Sequence, residues 1–377
     1  MPDILKKMNV PFLDFEGTNQ IIREEMISAF TQFFDSKWYI LGEGLKTFED
    51  QYAEFNNTKY CIGTSNGLDA LHLCLKALDI GEGDEVIVPS HTFIATILAI
   101  SYCGATPVFV EPDPVTYNMD PNKIEDAVSS KTKAIIPVHL YGQPCDMTAV
   151  KDIAERHELF IIEDNAQSQG AKWDGQLTGS IGHLNAVSFY PGKNLGALGD
   201  AGAITTNDKD LAEKVRSLRN YGSHKKYHND VIGYNNRMDE CQAAFLSVKL
   251  KYLEKWNVER RAVARQYMNL LEGVDDCILP GIANDAESVF HLFVIRCSRR
   301  DELQQYLKKQ GIGTLIHYPI PVHLQAAYKH LGYKKGDFPL AEELAETVLS
   351  LPLYIGMEEG AIEYVAQEIK NFSTNVG

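Results

Sequence analysis

The sequence predicts an α/β protein: a mostly parallel, doubly wound sheet in a large domain, followed by a smaller C-terminal α+β domain. Two features point there. Between Tyr60 and Thr206, short β-rich apolar runs alternate with stretches of helical periodicity, the pattern of strands buried on both faces and joined by crossover helices. Beyond about residue 250 that alternation stops, and a length of 377 residues suits one large domain plus a smaller one. The expected division is residues 1–250 and 251–377.

Taken in order, an amphipathic segment from Ile21 to Phe34 precedes WYILGEGLKTFEDQYAEF, a turn followed by a helix. YCIGTS (60–65) reads as a strand before a helix near 68–78, and EVIVPS (85–90) as a strand before one near 92–103. TPVFVEPD (106–113) leads to a helix near 121–129, and KAIIPVHLYG (133–142) to one near 147–157. ELFIIEDN (158–165) passes through Gly-rich turns to AVSFYP, and AGAITT (201–206) closes the set. A helix near 208–218, an irregular charged loop and a long helical segment over 237–272 follow. In the C-terminal part SVFHLFVIRC (288–297) reads as β, with helices from about 300, near 339–350 and near 358–372. There is no repeat and no low-complexity tether, so the boundary near 250 falls in a helix.

Composition excludes several classes. A net charge of −15 argues against a nucleic-acid or anionic-membrane partner, which would need a basic face. An anionic ligand must then be met by a local cluster of cations. The seven cysteines are scattered and never spaced C-x-x-C, which fits reduced thiols and no metal site. MPDILKKMNVPFLDF lacks the apolar core of a signal peptide, and no run is long enough to span a bilayer. The expectation is a soluble, cytoplasmic protein.

The chemistry concentrates at strand ends. After the run Val187–Tyr190 comes Pro191-Gly192, which puts Lys193 just past a strand in a loop with further glycines at 196, 199 and 202. Such loops are where α/β sheets bind ligands, and a desolvated lysine there can become a nucleophilic amine; elsewhere a loop lysine is simply solvated. GTSNGLDAL (63–71) places Gly67 and Leu68 at a helix start, either as an anion-binding N-terminus or as a plain helix cap. Phe93 follows a strand and can stack on a flat ring or fill core. Asp164 ends an apolar strand, where a carboxylate is costly without a task. It can pair with a protonated ring nitrogen or cap the next segment, and Gln167 lies one turn on. Ser188 closes the strand before Lys193. Asn235, Arg237, His317, Tyr318 and His323 gather in two loops. SHKKYHN (223–229), with His224, Lys225 and Lys226, is the one cationic cluster of its region, a solvated run or a diphosphate site.

Together these segments resemble the DegT-type, pyridoxal phosphate (PLP)-dependent sugar aminotransferases of the type I aminotransferase fold. The likeness runs from Val10-Pro11-Phe12 to the LPLY at 351–354 through SNGLDAL, GDEVIVPSHTFIAT, GATPVFVEPD, PVHLYGQPCDM, EDNAQSQGA, SFYPGKNLGALGDAGA, GYNNRMDECQAA and HYPIPVHLQ. The resemblance implies that Lys193 joins PLP, Asp164 binds the pyridine nitrogen, Gln167 the ring oxygen, and Phe93 stacks on the ring. It implies that Ser188 and the backbone of Gly67 and Leu68 hold the phosphate. Leu68 stands where many relatives carry Thr, so its contact must come from the backbone. An Asn like Asn235 reaches the phosphate of the neighbouring subunit, which implies a homodimer with shared active sites. FYPGKNLGALGDAG looks like the branch acting on 3-keto sugar nucleotides. That implies L-glutamate and a dTDP-3-keto-6-deoxyhexose as substrates, pyridoxamine phosphate in the second half-reaction, and a dTDP-3-amino-3,6-dideoxyhexose for a surface glycan such as lipopolysaccharide O-antigen. A 4-keto sugar aminotransferase and a non-catalytic PLP-binding regulator are the alternatives. Tyr221, His224, Lys225, Lys226, Arg237, His317 and Tyr318 are the candidates for substrate contact.

Overall fold

The computed structural model describes residues 7–374. Seven strands form the main sheet: β1 (Tyr60–Thr64), β2 (Glu85–Pro89), β3 (Thr106–Val110), β4 (Thr132–Ile135), β5 (Phe160–Asp164), β6 (Leu184–Ser188) and β7 (Gly202–Thr206). Their order is β1-β7-β6-β5-β4-β2-β3, and only β7 runs against its neighbours. Its reversal follows from its connection. Residues 189–201 contain no crossover helix, and without one a strand cannot return parallel. The sheet is therefore α/β and mostly parallel, as expected.

Helices cover both faces. On one side α3 (Gly67–Ala77), α4 (Ile94–Tyr102) and α6 (Lys209–Leu218) share an apolar cluster with the inward residues Ile62, Val86, Val88, Ile136 and Ile204. On the other, α5 (Met147–Arg156) packs Val150 and Ile153 against Ile87, Ile135 and Ile161. Alternate residues of each strand thus enter opposite cores, which makes these strands apolar throughout.

Beyond residue 250 the chain builds a second cluster. Helix α8 (Leu253–Leu271), α9 (Arg300–Lys309) and α11 (Ala361–Thr374) surround the antiparallel pair β8 (Phe293–Arg296) and β9 (Val348–Leu351). Val10 joins this cluster and pairs with Ile312, so the start of the chain packs with its end.

Several elements differ from expectation. Residues 121–129 form two 3₁₀ turns, Pro121–Lys123 and Glu125–Ala127, rather than one helix. The segment buries Ile124 deeply and must extend at Val128 to enter β4, leaving no length for an α-helix. The segment 237–272 breaks at Lys251–Tyr252 into α7 (Glu240–Leu250) and α8, without a Gly or Pro to mark the break. The helix expected over 339–350 stops at Thr347, because Val348–Leu351 pairs with β8. Of SVFHLFVIRC only 293–296 is strand; residues 288–292 cross over Gly142, with Ser288 Oγ and the Val289 N–H donating to its carbonyl. The charged loop carries a small exposed hairpin of Ser223–Lys225 with His228–Asn229. No helix among the described residues is long and apolar enough to cross a membrane.

Candidate active site

Strands β5 and β6 are parallel neighbours, and their carboxyl ends carry Asp164 and Ser188 at the edge where such sheets bind ligands. The chain then turns sharply. The Ala197 N–H donates to the Phe189 carbonyl across the loop (2.8 Å), and the Lys193 N–H donates to the Tyr190 carbonyl at 2.8 Å. A side chain at Gly196 would put its Cβ 2.2 Å from the Pro191 carbonyl oxygen, so the loop closes this tightly only with glycine there. Lys193 is thus set over the strand ends. Burial lowers its amine to about 8, and the carboxylate of Asp164 partly opposes that fall.

Asp164 is 5% exposed. Its Oδ2 accepts from Thr96 Oγ1 at 2.9 Å, and its Oδ1 from the Ala166 N–H at 3.2 Å. Burial raises its carboxyl, while the Thr96 hydroxyl, the Ala166 N–H and the charge of Lys193 favour the ionised form. No helix starts after Asp164, which disposes of the capping alternative. Gln167 accepts from the Tyr141 N–H at 2.6 Å and donates to the Tyr318 hydroxyl at 3.1 Å. Phe93 is 52% exposed, with its ring 5.3 Å from that of Tyr318, so it lines an open face rather than filling core.

At the start of α3 a helix cap is present and two amides stay free beside it. Asn66 caps the helix by accepting from the Asp69 N–H at 2.8 Å, and the N–H groups of Gly67 and Leu68 have no acceptor among the described residues. A Cβ on Gly67 would lie 2.7 Å from Ser188 Cβ, so the missing side chain lets the serine hydroxyl stand beside the two free amides. Two donors and a hydroxyl at a helix N-terminus make a cradle for a phosphate.

The back of the site is tied together by amides. Asn194 Nδ2 donates to Asn257 Oδ1 (2.9 Å), Asn257 Nδ2 to the Gln169 carbonyl (2.9 Å), and Gln169 Nε2 to the Ser188 carbonyl (2.7 Å). This chain links the residue after Lys193 to the serine of the cradle. Two imidazoles sit near the lysine. His317, bonded to Ser350 Oγ at 2.8 Å, is lowered to about 4 by burial and by the lysine's charge. His291 is held well below its usual value for the same two reasons.

The remaining expected residues lie apart. Tyr221, His224, Lys225 and Lys226 occupy the exposed loop and hairpin after α6. Arg237 stacks over Tyr221 at 5.1 Å and donates to Asn220 Oδ1 at 3.2 Å, leaving a buried Nε without an acceptor. Asn235 is exposed opposite Asn220 and makes no side-chain hydrogen bond among the described residues. His323 leaves the site altogether: it is 1% exposed, bonded to Glu342 and packed on Phe109 and Phe338. Sequence reasoning missed Thr96, Tyr141, Asn194, Asn257 and His291. Thr96 had a signal, since it stands one helical turn beyond Phe93.

Fold and site together place a desolvated lysine amine and a buried carboxylate at the carboxyl edge of a mostly parallel sheet. The chain belongs to the DegT/DnrJ/EryC1/StrS aminotransferase family, whose model matches residues 20–370. It is 50% identical over 363 residues (96% of this chain, 99% of the relative) to the dTDP-3-amino-3,6-dideoxy-alpha-D-galactopyranose transaminase of Aneurinibacillus thermoaerophilus. It is 48% identical over 363 residues (96% and 99%) to the erythromycin biosynthesis sensory transduction protein EryC1 of Saccharopolyspora erythraea. The crystal structure of S. venezuelae DesV in complex with a ketimine intermediate superposes with a TM-score of 0.96 at 46% identity, covering 98% of this chain and 100% of DesV.

Proposed function

We propose that this aminotransferase uses PLP to move the amino group of L-glutamate onto a dTDP-3-keto-6-deoxyhexose, giving a dTDP-3-amino-3,6-dideoxyhexose. The observation that carries the reading is the pairing of Lys193 and Asp164 over the free amides of Gly67 and Leu68. Those groups fit the cofactor at three points: an amine for its aldehyde, a buried carboxylate for its ring nitrogen, and a phosphate cradle that a Cβ at position 67 would fill. Bound there, PLP supplies an electron sink for a carbanion at the donor's α-carbon.

The chain's own residues do the rest. Asp164, whose ionised form the Thr96 hydroxyl and the Ala166 N–H favour against its burial, would hold a proton on the ring nitrogen. Lys193, lowered to about 8, has a neutral fraction near neutral pH and serves first as nucleophile, then as the base that carries the proton. Phe93 offers an open face to the ring, and the second amide hydrogen of Gln167 is free for its oxygen. His317, which feels the charge of Lys193, and Tyr318, beside Phe93 and Gln167, are assigned to the sugar. Arg237 with its unused Nε, and His224, Lys225, Lys226 and Tyr221 on the exposed loop, are assigned to the nucleotide diphosphate.

A homodimer completes this reading. Helix α1 (Glu16–Ser36) buries only Ile22 and leaves Ile21, Ile27, Phe30 and Phe34 exposed, next to exposed Trp38 and Tyr39. In this reading Asn235, exposed opposite Asn220, is assigned to the phosphate of the second copy. The division into 1–250 and 251–377, and a cytoplasmic location supported by seven free cysteines, belong to the same proposal.

The test is direct. Purified protein with PLP and glutamate is offered dTDP-3-keto-6-deoxy and dTDP-4-keto-6-deoxy sugars, and amino-sugar formation is followed by mass. Turnover of the 3-keto sugar alone is expected. Turnover of the 4-keto sugar alone would keep the aminotransferase and discard the regiochemistry. Bound cofactor without turnover of either would favour the regulatory role that the name of the S. erythraea relative suggests.

A further inference from the structure

Lys249, on the inner face of α7, is 6% exposed, yet no carboxylate oxygen among the described residues lies within ion-pair distance of it. Its Nζ donates to one acceptor, the carbonyl of Gly196, at 2.7 Å. That carbonyl receives no backbone N–H among the described residues. It sits between Leu195 and Ala197, both buried in the apolar cluster formed with Phe48, Phe189, Leu246 and Leu253. A carbonyl in such surroundings needs a donor, and a buried ammonium without a counter-charge is an expensive way to supply one.

The place of that carbonyl explains the choice. Gly196 is the residue whose backbone closes on Pro191, so the two define the span that holds Lys193. The other fastenings are weaker or more distant. Gln242 accepts from the exposed Leu198 N–H at 2.9 Å, and Asn194 is tied to Asn257 on the opposite side. Among the described residues only Lys249 grips the closing carbonyl itself, with a charge-assisted bond.

We infer that Lys249 is a positioning residue for Lys193: its bond to the Gly196 carbonyl fixes the Pro191–Gly196 loop and with it the direction in which the Lys193 amine is presented to PLP. The inference rests on the assignment of Lys193 made above. Burial also lowers the Lys249 amine to about 8, with no neighbouring charge contributing. The residue is therefore held by its hydrogen bond and its packing rather than by an ion pair.

The experiment compares the PLP-loaded wild type with Lys249→Met, which keeps the unbranched shape without the donor, and with Lys249→Arg, which keeps a charged donor. Three readouts are taken: thermal midpoint, visible circular dichroism of the bound cofactor, and hydride trapping of the cofactor at Lys193 read by peptide mass. The expected result for Lys249→Met is an unchanged or higher thermal midpoint, at least a 3-fold loss of visible dichroism and about a 10-fold slower capture of PLP. Its kcat falls about 10-fold while the glutamate KM stays within 2-fold, and Lys249→Arg recovers most of the dichroism. Wild-type dichroism and capture in Lys249→Met overturn the inference, as does equal loss in both variants. If Lys249→Met yields no folded protein, Lys249→Gln, one bond too short to reach Gly196, is read in its place by the same criteria. A wild type that cannot be trapped at Lys193 removes the assignment of the site and this inference with it. A trapped wild type that matches Lys249→Met removes only the inference.

Discussion

Replacing Thr96 by Val tests how Asp164 keeps its charge. The Thr96 hydroxyl donates to Oδ2 at 2.9 Å, and Asp164 is 5% exposed, so solvent cannot take over the lost bond. A hydrogen bond to a buried charge is worth about 2 kcal/mol, against about 1 kcal/mol or less for a bond to the neutral acid. The substitution therefore favours the protonated carboxyl by roughly 5-fold or more. The sign follows from burial. The carboxyl is already raised in the folded protein, so its contribution to stability is greatest at low pH and is lost as pH rises through the folded value. Thr96→Val enlarges that loss. Urea unfolding of wild type and variant should differ by about 2 kcal/mol at neutral pH and by about 1 kcal/mol or less in acid, where the carboxyl is protonated in both. The acid limb of the kcat profile should move to higher pH at the same time. A stability difference that stays constant with pH would mean that Thr96 acts only through packing.

Three further outcomes can be measured. Capture of PLP by the protein freed of cofactor should rise with pH and level off near pH 8 to 9, because Lys193 is lowered to about 8; a rise continuing toward the range of an ordinary lysine would refute its desolvation, and Lys193→Arg should give no trapped adduct. Gly67→Ala drives a Cβ to 2.7 Å from Ser188 Cβ and should weaken PLP retention by about 10-fold or more, read by fluorescence, with little change in urea midpoint. Glu163 is fully buried and accepts from His139 and from the N–H groups of Gly179, Ile181 and Gly182 at 2.7–2.8 Å. Glu163→Gln turns an amide NH₂ against those donors and should cost about 3 kcal/mol in urea unfolding.

What the sequence made legible follows from how each signal arises. The strands of the sheet are buried on both sides, so they stand out as apolar runs whatever packs on them. Lys193 and Asp164 were legible because each interrupts such a run at its end, where a polar group is conspicuous. Thr96, Asn257 and Lys249 gave no such sign, since each lies within a helix and takes its meaning from an acceptor more than fifty residues away. His323 misled for the opposite reason. It shares a loop with His317 and Tyr318, but a 3₁₀ turn at Val322–Leu324 swings it into a core with Phe109 and Phe338. The strand at Val348–Leu351 was hidden because four buried residues fit the end of a helix as well as they fit a ladder.

The amide chain from Asn194 through Asn257 and Gln169 to the Ser188 carbonyl has a consequence for which molecules the site accepts. It connects the residue after Lys193 to the strand end at Ser188 through three short bonds donated by buried side chains. The spacing of the two ends is thereby set by the protein, like the jaws of a fixed caliper, and cannot be stretched by the occupant. A pyridine aldehyde with a longer arm between ring and phosphate would satisfy one end only. Under the proposed PLP assignment, the length of the cofactor would be measured before its chemistry is used.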